Sequence, residues 1–169
     1  MAKGDWKVIE KGGAWVQRWV VEDRTTSSLT VTIKPGEMVK QAADAANYVI
    51  PLLTGDPEAG TDIVCGIALT ESTETSTVDG YVDVLMITPQ TVLECKATTA
   101  ANVDTQAEID ALIGDCVAGD VTSLTQTIDE DEGNDNDVHG FLIVGGNPEH
   151  KTLYVRVKEM VLQEGVALL

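Results

Sequence analysis

The sequence is poor in aromatic residues and contains no long apolar run. Aromatic side chains make up 4% of the 169 residues, so a core has to be built mainly from valine, isoleucine, leucine and alanine. No apolar stretch approaches the roughly 18 residues of a transmembrane helix, and the opening Met-Ala-Lys-Gly-Asp-Trp contains no apolar signal core. We therefore expect a protein that is made in a cytoplasm and has no membrane partner.

Basic residues are heavily outnumbered by acidic ones. Eleven lysines and arginines face 28 aspartates and glutamates, and the resulting charge of −17 opposes binding to nucleic acid, whose phosphates require cations. The first forty positions hold seven basic and five acidic residues, whereas the remainder holds four basic and 23 acidic residues. Two interpretations stay open: an acidic body that is soluble through self-repulsion, or an array protein kept dispersed until a mildly basic arm meets its partner.

Cysteine and histidine are too few and too scattered for a metal centre. Cys65, Cys95 and Cys116 form no C-x-x-C pair, and only His139 and His150 could join them. Buried, reduced thiols are the expected state of the cysteines, and His139 is expected to be a hydrogen-bonded loop or core histidine. With no nucleophile elbow and no phosphate-binding loop either, the sequence predicts no catalytic residue, no metal ligand and no cofactor, and thus not an enzyme.

The acidic run at residues 129–137 is the strongest candidate for a cation site. Its closely spaced carboxylates and amides are ligands that calcium prefers. The spacing differs from an EF-hand loop, because Gly133 stands at position five and Gly140 stands where the bidentate glutamate belongs. A solvated loop tip is the favoured interpretation, and a structural calcium clip is the alternative.

Threonine and valine are abundant, and apolar residues recur in short alternating runs separated by turn residues, which is typical of β-structure. The run at residues 80–88 is apolar on both faces, which predicts a central strand that is packed between layers or at an interface. The segment 37–48 is compatible with a helix or a strand. Strands are predicted near residues 27–34, 48–50, 62–69, 80–88, 91–97, 121–128, 138–144 and 152–157, with a turn at Gly145-Gly146-Asn147-Pro148.

One short helix is predicted at about residues 105–113. Thr105 and Glu108 have the spacing of a capping box, apolar residues follow at Ile109, Leu112 and Ile113, and Gly114 stands where a helix commonly ends. The expected fold is mainly β: a compact antiparallel β-barrel or β-tulip/sandwich with this helix. The predicted organisation is an extended N-terminal arm at residues 1–26 and a single β-rich domain at residues 27–169.

The arm carries all the tryptophans of the chain. Tryptophan and arginine are enriched at the energetic centres of protein interfaces. Partner-binding residues are therefore predicted at Trp6, Trp15, Arg18, Trp19 and Arg24. The alternative is that the arm folds back and its tryptophans cap the end of the chain's own barrel.

Four short stretches in the first two thirds of the chain form a recognisable set. They are Pro35-Gly36-Glu37-Met38-Val39, Val49-Ile50-Pro51-Leu52, Gly66-Ile67-Ala68-Leu69 and Asp79-Gly80-Tyr81-Val82-Asp83-Val84. These stretches resemble small capsid decoration (cement) proteins of tailed bacteriophages, and the resemblance covers roughly residues 34–97. It implies a compact β-barrel or β-tulip and a non-catalytic viral structural protein.

The resemblance also implies a place in the virion. A decoration protein folds in the host cytoplasm and then binds the capsid exterior at local three-fold or two-fold positions. The expected partners are the major capsid protein and neighbouring copies of the chain, which is expected to be a monomer or a trimer. Two other functions stay open from the residues themselves: a phage tail or host-recognition module, with or without a calcium clip, and a small ligand-binding β-barrel.

Overall fold

The computed structural model describes residues 6–21, 32–42, 45–73 and 80–162. These residues form a mainly β structure with one short α-helix, α1 (Gln106–Leu112), and two short 3-10 segments (Ala100–Val103 and Glu159–Val161). The strands are β1 (Trp6–Glu10), β2 (Trp15–Val21), β3 (Thr32–Ile33), β4 (Met38–Ala42), β5 (Ala45–Pro51), β6 (Val64–Ala68), β7 (Ser72–Thr73), β8 (Tyr81–Met86), β9 (Val92–Lys96), β10 (Cys116–Thr122), β11 (Thr125–Asp129), β12 (Phe141–Asn147) and β13 (Thr152–Val157).

The strands build a closed barrel and an open sheet. Five strands close the barrel in the order β2-β5-β4-β6-β8, and six form the sheet in the order β1-β9-β13-β12-β10-β11. Neighbours in both are antiparallel except β2 and β5, which run parallel. A compact β-barrel with one short helix is thus confirmed. Within the described ranges, no helix has the length and apolarity to cross a bilayer.

The side chains of β8 alternate between the inside and the outside of the barrel. Val82, Val84 and Met86 point inward and are buried, while Tyr81 points outward and is exposed. Strand β8 lies between β2 and β6, as a central strand does. The predicted packing of both its faces between layers is not found, because Tyr81 on the outer face is 54% exposed. Burial of that face at an interface with another molecule stays a prediction. At its contact with β6 only glycine fits, because a Cβ on Gly66 would lie 2.0 Å from the carbonyl oxygen of Leu85.

A second core lies between the barrel and the sheet. The outer face of the barrel contributes Met38 and Ile67, and the sheet contributes Phe141, Leu153 and other apolar side chains, all less than 5% exposed. Since strand side chains alternate between faces, β4 supplies Val39 to the barrel interior and Met38 to this second core.

The Gln126 side chain connects the two layers in the middle of that core. Its Oε1 accepts hydrogen bonds from the Met38 amide (2.7 Å) and from Trp6 Nε1 (2.9 Å). Its Nε2 donates to the carbonyl oxygens of Met38 (3.0 Å) and Leu52 (3.4 Å). The carboxamide therefore binds both backbone groups of Met38 from outside the barrel, and the Met38 carbonyl oxygen also accepts from the Leu52 amide.

Residues 6–21 are part of both layers, so the predicted arm is wrong for this segment. Strand β1 pairs with β9 in the sheet, and β2 pairs with β8 in the barrel. The ribbon bends at Gly12, where a Cβ would lie 2.5 Å from the backbone of Gln90. Hydroxyls of Thr88 and Thr91 donate to the carbonyl oxygens of Gly12 and Lys11 and hold the bend. Residues 1–5 and 22–26 lie outside the described residues.

The helix prediction is confirmed in detail. The Thr105 hydroxyl accepts from the Glu108 amide and the Glu108 carboxylate accepts from the Thr105 amide, which is the capping box read from the sequence. Gly114 has a φ of +99° and donates its amide to the carbonyl oxygen of Ile143. Ile109 is fully buried and docks the helix on β12.

Three local predictions need correction or completion. Residues 121–128 are not one strand but parts of the hairpin β10–β11, which turns at Ser123 and Leu124, both with positive φ. Gly145, Gly146 and Asn147 belong to β12, and the turn lies at residues 148–151. The segment left open at residues 37–48 contains β4 and the start of β5.

Replacing Gln126 with leucine should destabilise the protein by about 3 kcal/mol, because it removes the acceptor of the buried Trp6 indole and Met38 amide and the donor to the Leu52 carbonyl oxygen. Urea denaturation followed by tryptophan fluorescence measures the change. Gln106→Leu is the matched control, since Gln106 is exposed on α1. A loss below about 1 kcal/mol for Gln126→Leu would contradict the bridging role of this side chain.

Candidate functional site

Two of the predicted partner-binding residues lie inside the protein. Trp6 is 4% exposed, packs on Phe141 with ring centroids 5.0 Å apart, and donates to Gln126. Trp19 is 7% exposed, points into the barrel, and its Nε1 lies 3.3 Å from the Met86 sulfur. Trp19 lies inside the barrel core, and Trp6 lies in the second core and shows only a small part of its ring, in the groove described below. The prediction that these two rings are centres of an interface is therefore wrong. The segment folds back on the chain, as in the alternative, although these two rings fill the cores and do not cap the end of the barrel.

Trp15 and Arg18 do lie at the surface. Trp15 occupies an inward-pointing position of β2, yet it is 45% exposed because it stands at the open end of the barrel. Arg18 points outward from the same strand. Arg24 lies outside the described residues. Partner binding by Trp15 and Arg18 stays a prediction.

The outer faces of β2 and β8 form one partly apolar surface, which we call the β2–β8 wall. Val16 lies opposite Leu85, Arg18 opposite Asp83, and Val20 opposite Tyr81. Residues directly opposite in antiparallel strands share a face of the sheet, so these six side chains are neighbours. Val16 is 58% exposed and Tyr81 is 54% exposed.

An ion pair lies at the centre of the wall. Arg18 donates to both carboxylate oxygens of Asp83, from Nε at 2.8 Å and from the guanidinium at 3.3 Å. The hydrogen bond and the charge of Arg18 lower the pKa of Asp83. Because the pair is internally neutral, the wall carries no net charge on a strongly acidic chain.

A groove of about 280 Å³ adjoins the wall. It runs between β1 and the outer face of β6 and β8, and Leu85 belongs to both the groove and the wall. The side chains that line it are apolar, although backbone groups make part of its surface polar, and these side chains favour contact with an apolar side chain of a partner. The lining residues are Trp6, Val8, Pro35, Gly36, Ile67, Ala68, Leu69 and Leu85.

A buried cluster of charges lies on the other flank of the barrel. Lys40 Nζ is 2.7 Å from Asp56 Oδ2 and 2.6 Å from Asp62 Oδ1, and each of the three side chains is at most 10% exposed. The backbone fixes both carboxylates: Asp56 accepts from the Leu53 amide and Asp62 from the Glu58 amide. No spacing pattern in the sequence marks this cluster; the only signal is a lysine within the otherwise apolar start of β4.

The cluster holds one cation between two carboxyl groups of different proton affinity. Burial raises the pKa of Asp56, and the hydrogen bonds from Lys40 and the Leu53 amide do not reverse the shift. Burial also acts to raise the pKa of Asp62, but the Glu58 amide and Lys40 outweigh it and hold that pKa below its ordinary value. Burial lowers the pKa of Lys40, whereas the two carboxyl groups raise it by more.

The acidic run is used mainly for local structure. Glu130 is buried and accepts from the amides of Thr98 and Thr99, while residues 131–138 are exposed. Asn134 and Asn136 accept from the amide and the thiol of Cys116. Within the described part of the chain, no three histidine, cysteine, aspartate or glutamate side chains are grouped so as to hold a metal ion. Calcium binding by this run stays an untested alternative.

The cysteine prediction is confirmed and the histidine prediction is partly wrong. Cys65, Cys95 and Cys116 are all buried free thiols, and burial raises the pKa of Cys65 to about 12. His139 is buried as expected. Its Nδ1, however, has no hydrogen-bond partner among the residues that the structure describes, so the side chain is not fully satisfied.

Comparisons of the chain with protein-family models, with curated proteins and with solved structures find no match. Function therefore has to be inferred from the residues and their arrangement. Among the described residues, the β2–β8 wall with its groove offers a surface for binding, and the Lys40 cluster offers buried ionisable groups.

Replacing Lys40 with methionine should cost about 3–5 kcal/mol at pH 7, because two buried carboxylates lose their cation. Without Lys40 the folded-state pKa values of Asp56 and Asp62 should rise above the unfolded value near 4. The folded variant then binds more protons than the unfolded chain, so the loss should shrink as the pH falls towards 4. Urea denaturation at pH 7 and pH 4.5 measures this.

Lys7→Met is the matched control for that experiment. Lys7 pairs with Glu94 at 3.0 Å, but its side chain is 75% exposed, so its removal should leave the unfolding midpoint almost unchanged. A Lys40→Met variant whose deficit stays constant between the two pH values would contradict the placement of two buried, ionisable carboxyl groups around Lys40.

Proposed function

We propose that this chain is a non-catalytic viral structural protein that binds the outside of a bacteriophage capsid and stabilises it. The observation that carries the proposal is the β2–β8 wall: a neutral, partly apolar surface on the rigid barrel of a chain with a charge of −17. The major capsid protein is the proposed partner of the wall. Neighbouring copies of the chain are the second proposed partner.

The chemistry of the wall supports a protein partner. Protein interfaces are depleted of net charge at their centres and enriched in tyrosine, tryptophan and arginine. The wall presents Tyr81 and Arg18, and Trp15 stands at the end of the same strand. Docking would remove the exposed apolar surface of Val16 and Tyr81 from water, at about 25 cal/mol per Å².

The position of the resemblance supports the same proposal. The four stretches shared with decoration proteins fall on β4, β5, β6 and β8, together with the turn before β4. These four strands and β2 make up the closed barrel. The stretches thus belong to one compact unit, and that unit carries the wall and much of the groove.

The charge distribution suits a protein that covers a shell in many copies. Like charges on the body keep free copies apart before assembly. Individual contacts need not be tight, because contacts between neighbouring copies on a shell act together. A small contact surface on each copy, such as the β2–β8 wall, is then sufficient for stable attachment of the whole array.

The double substitution Val16→Glu, Tyr81→Glu should weaken binding to capsids at least tenfold. It places two carboxylates on the wall without touching either core, so the fold should be retained. The test is co-sedimentation of the purified protein with expanded heads, assembled from the major capsid protein that the same genome encodes. Leu124→Glu is the matched control, since Leu124 is 69% exposed on the β10–β11 hairpin.

Three outcomes would contradict the proposal. The first is that the genome encodes no capsid protein. The second is that the wild-type chain stays in the supernatant when capsids are sedimented. The third is that the bound protein does not raise the melting temperature of the capsids. Equal weakening by Leu124→Glu and by the double variant would instead place the contact away from the wall. Truncation of residues 1–26 is unsuitable as a test because it removes β1 and β2 from both layers.

A further inference from the structure

The Lys40 cluster contains the reactants of an amide bond. An ammonium group lies between two carboxyl groups at 2.7 and 2.6 Å, in a region from which water is largely excluded. The carbonyl carbon of Asp56 is bonded directly to the oxygen that Lys40 contacts. The nitrogen therefore has only to shift from oxygen to carbon, towards the separation of about 3–3.5 Å from which such reactions start.

We propose that Lys40 and Asp56 join spontaneously in an intramolecular isopeptide bond, with Asp62 as the base that assists the reaction. The proposal concerns the folded chain alone and does not depend on a capsid partner. It adds a chemical activity, self-cross-linking, to a protein proposed above to have no catalytic role towards other molecules.

The reaction balances without any co-reactant. The Asp62 carboxylate takes one proton from the Lys40 ammonium, and the freed amine attacks the carbonyl carbon of the protonated Asp56 carboxyl group. The C–N bond forms, the C–O bond to the hydroxyl breaks, and one water leaves. Of the four protons at the start, one stays on the amide nitrogen, two leave in water, and one remains on Asp62.

The environment of each carboxyl group assigns the roles. An electrophile must be protonated so that hydroxide does not have to leave, and the raised pKa of Asp56, caused mainly by burial, favours that form. A base must be ionised, and the Glu58 amide together with Lys40 holds the pKa of Asp62 low in spite of burial. The proximity of the two carboxyl groups acts in the same sense, because it raises the pKa of Asp56 and lowers the pKa of Asp62.

Burial favours both the rate and the product. Groups held in contact by a rigid fold react as if at effective concentrations of about 10⁵ M or more. Amide formation replaces a buried ammonium and a carboxyl group with a neutral amide, which removes the cost of keeping charges out of water. Exclusion of water also slows hydrolysis of the bond.

The bond would lock the barrel at its junction with the sheet. Lys40 lies on β4, and Asp56 lies in the loop after β5. The backbone carbonyl oxygen of Asp56 accepts a hydrogen bond from the Gly119 amide of β10. A covalent link at this point ties β4 to the loop that joins the two layers. The bond would hold this loop in place against β4, and with it the hydrogen bonds through which Gly55 and Asp56 connect the barrel to Gly119 of the sheet.

Mass spectrometry of the purified full-length protein tests the proposal. The intact chain should be lighter than its sequence mass by one water. Digestion on the N-terminal side of aspartates cuts at Asp44, between the two partners, so the bond should appear as a branched peptide that joins Lys40 to Asp56. Trypsin should also fail to cleave after Lys40.

Variants separate the roles of the three groups. Lys40→Arg and Asp56→Ala should each show no branch at position 56, because the first lacks the amine and the second lacks a carbonyl group on the side chain. Asp62→Asn should abolish or greatly slow formation of the branch while leaving Lys40 and Asp56 in place. Lys7→Arg is the matched control: within the described residues the exposed Lys7 pairs with Glu94 alone, and this variant should keep the mass deficit.

The wild-type spectrum alone can overturn the proposal, so the test does not depend on any variant folding. Full sequence mass after days of incubation at neutral pH and at pH 5 would refute it. A water loss confined to one linear peptide would be an aspartyl succinimide and would also refute it. A branch from Lys40 to Asp62 would overturn the assignment of electrophile and base.

Discussion

The carboxamide of Gln126 is the interaction on which the two-layer arrangement depends. A barrel and a sheet can pack face to face through apolar side chains, but those contacts are non-directional and permit sliding. Gln126 adds direction, because its oxygen and nitrogen bind both backbone groups of Met38 while the oxygen also holds the Trp6 indole. In a site with almost no water, each unmade bond of this set would be costly, so one relative position of the layers is selected.

The same constraint explains why the N-terminal tryptophans are not free. Trp6 completes the Gln126 network from β1, and Trp19 fills the barrel from β2. In a chain with few aromatic residues, these rings supply volume that valine and alanine cannot. The outward-pointing residues of β2 and β8 belong to neither core. The β2–β8 wall therefore consists of side chains that are not needed for packing within the chain. At its centre, the charges of Arg18 and Asp83 neutralise each other.

The Lys40 cluster is the polar counterpart of Gln126 at the same junction. Met38 and Lys40 are two residues apart on β4, so their side chains point to the same side of the strand. One apolar side chain and one cation of β4 therefore lie at the junction between the barrel and the sheet. Buried charges are retained only where partners are in place, and here two aspartates of one loop are fixed by backbone amides. A cation held between two carboxyl groups of unequal proton affinity is both a structural lock and a reactive arrangement.

Local pattern in the sequence was sufficient for several elements. The capping box fixed α1 through contacts within four residues, the alternation of residues 152–157 fixed β13, and the two-faced apolar run at residues 80–88 marked β8 as central. Isolated cysteines among apolar neighbours were enough to predict buried thiols. Each of these depends on near neighbours in the chain or on the period of one element.

Only the tertiary structure decided how distant segments meet. Gln126 lies 88 positions from Met38, and Asp56 and Asp62 lie in a loop that no spacing rule connects with Lys40. The strands β1 and β2 are short and are separated by glycines, and their partners β9 and β8 lie far along the chain. Local pattern therefore predicted an extended arm for residues 1–26. The sequence by itself determined the β class, the helix and the acidic body, because these follow from local periodicity and composition. Which tryptophans are buried, which residues form the β2–β8 wall and which charges share a site were set by long-range pairing.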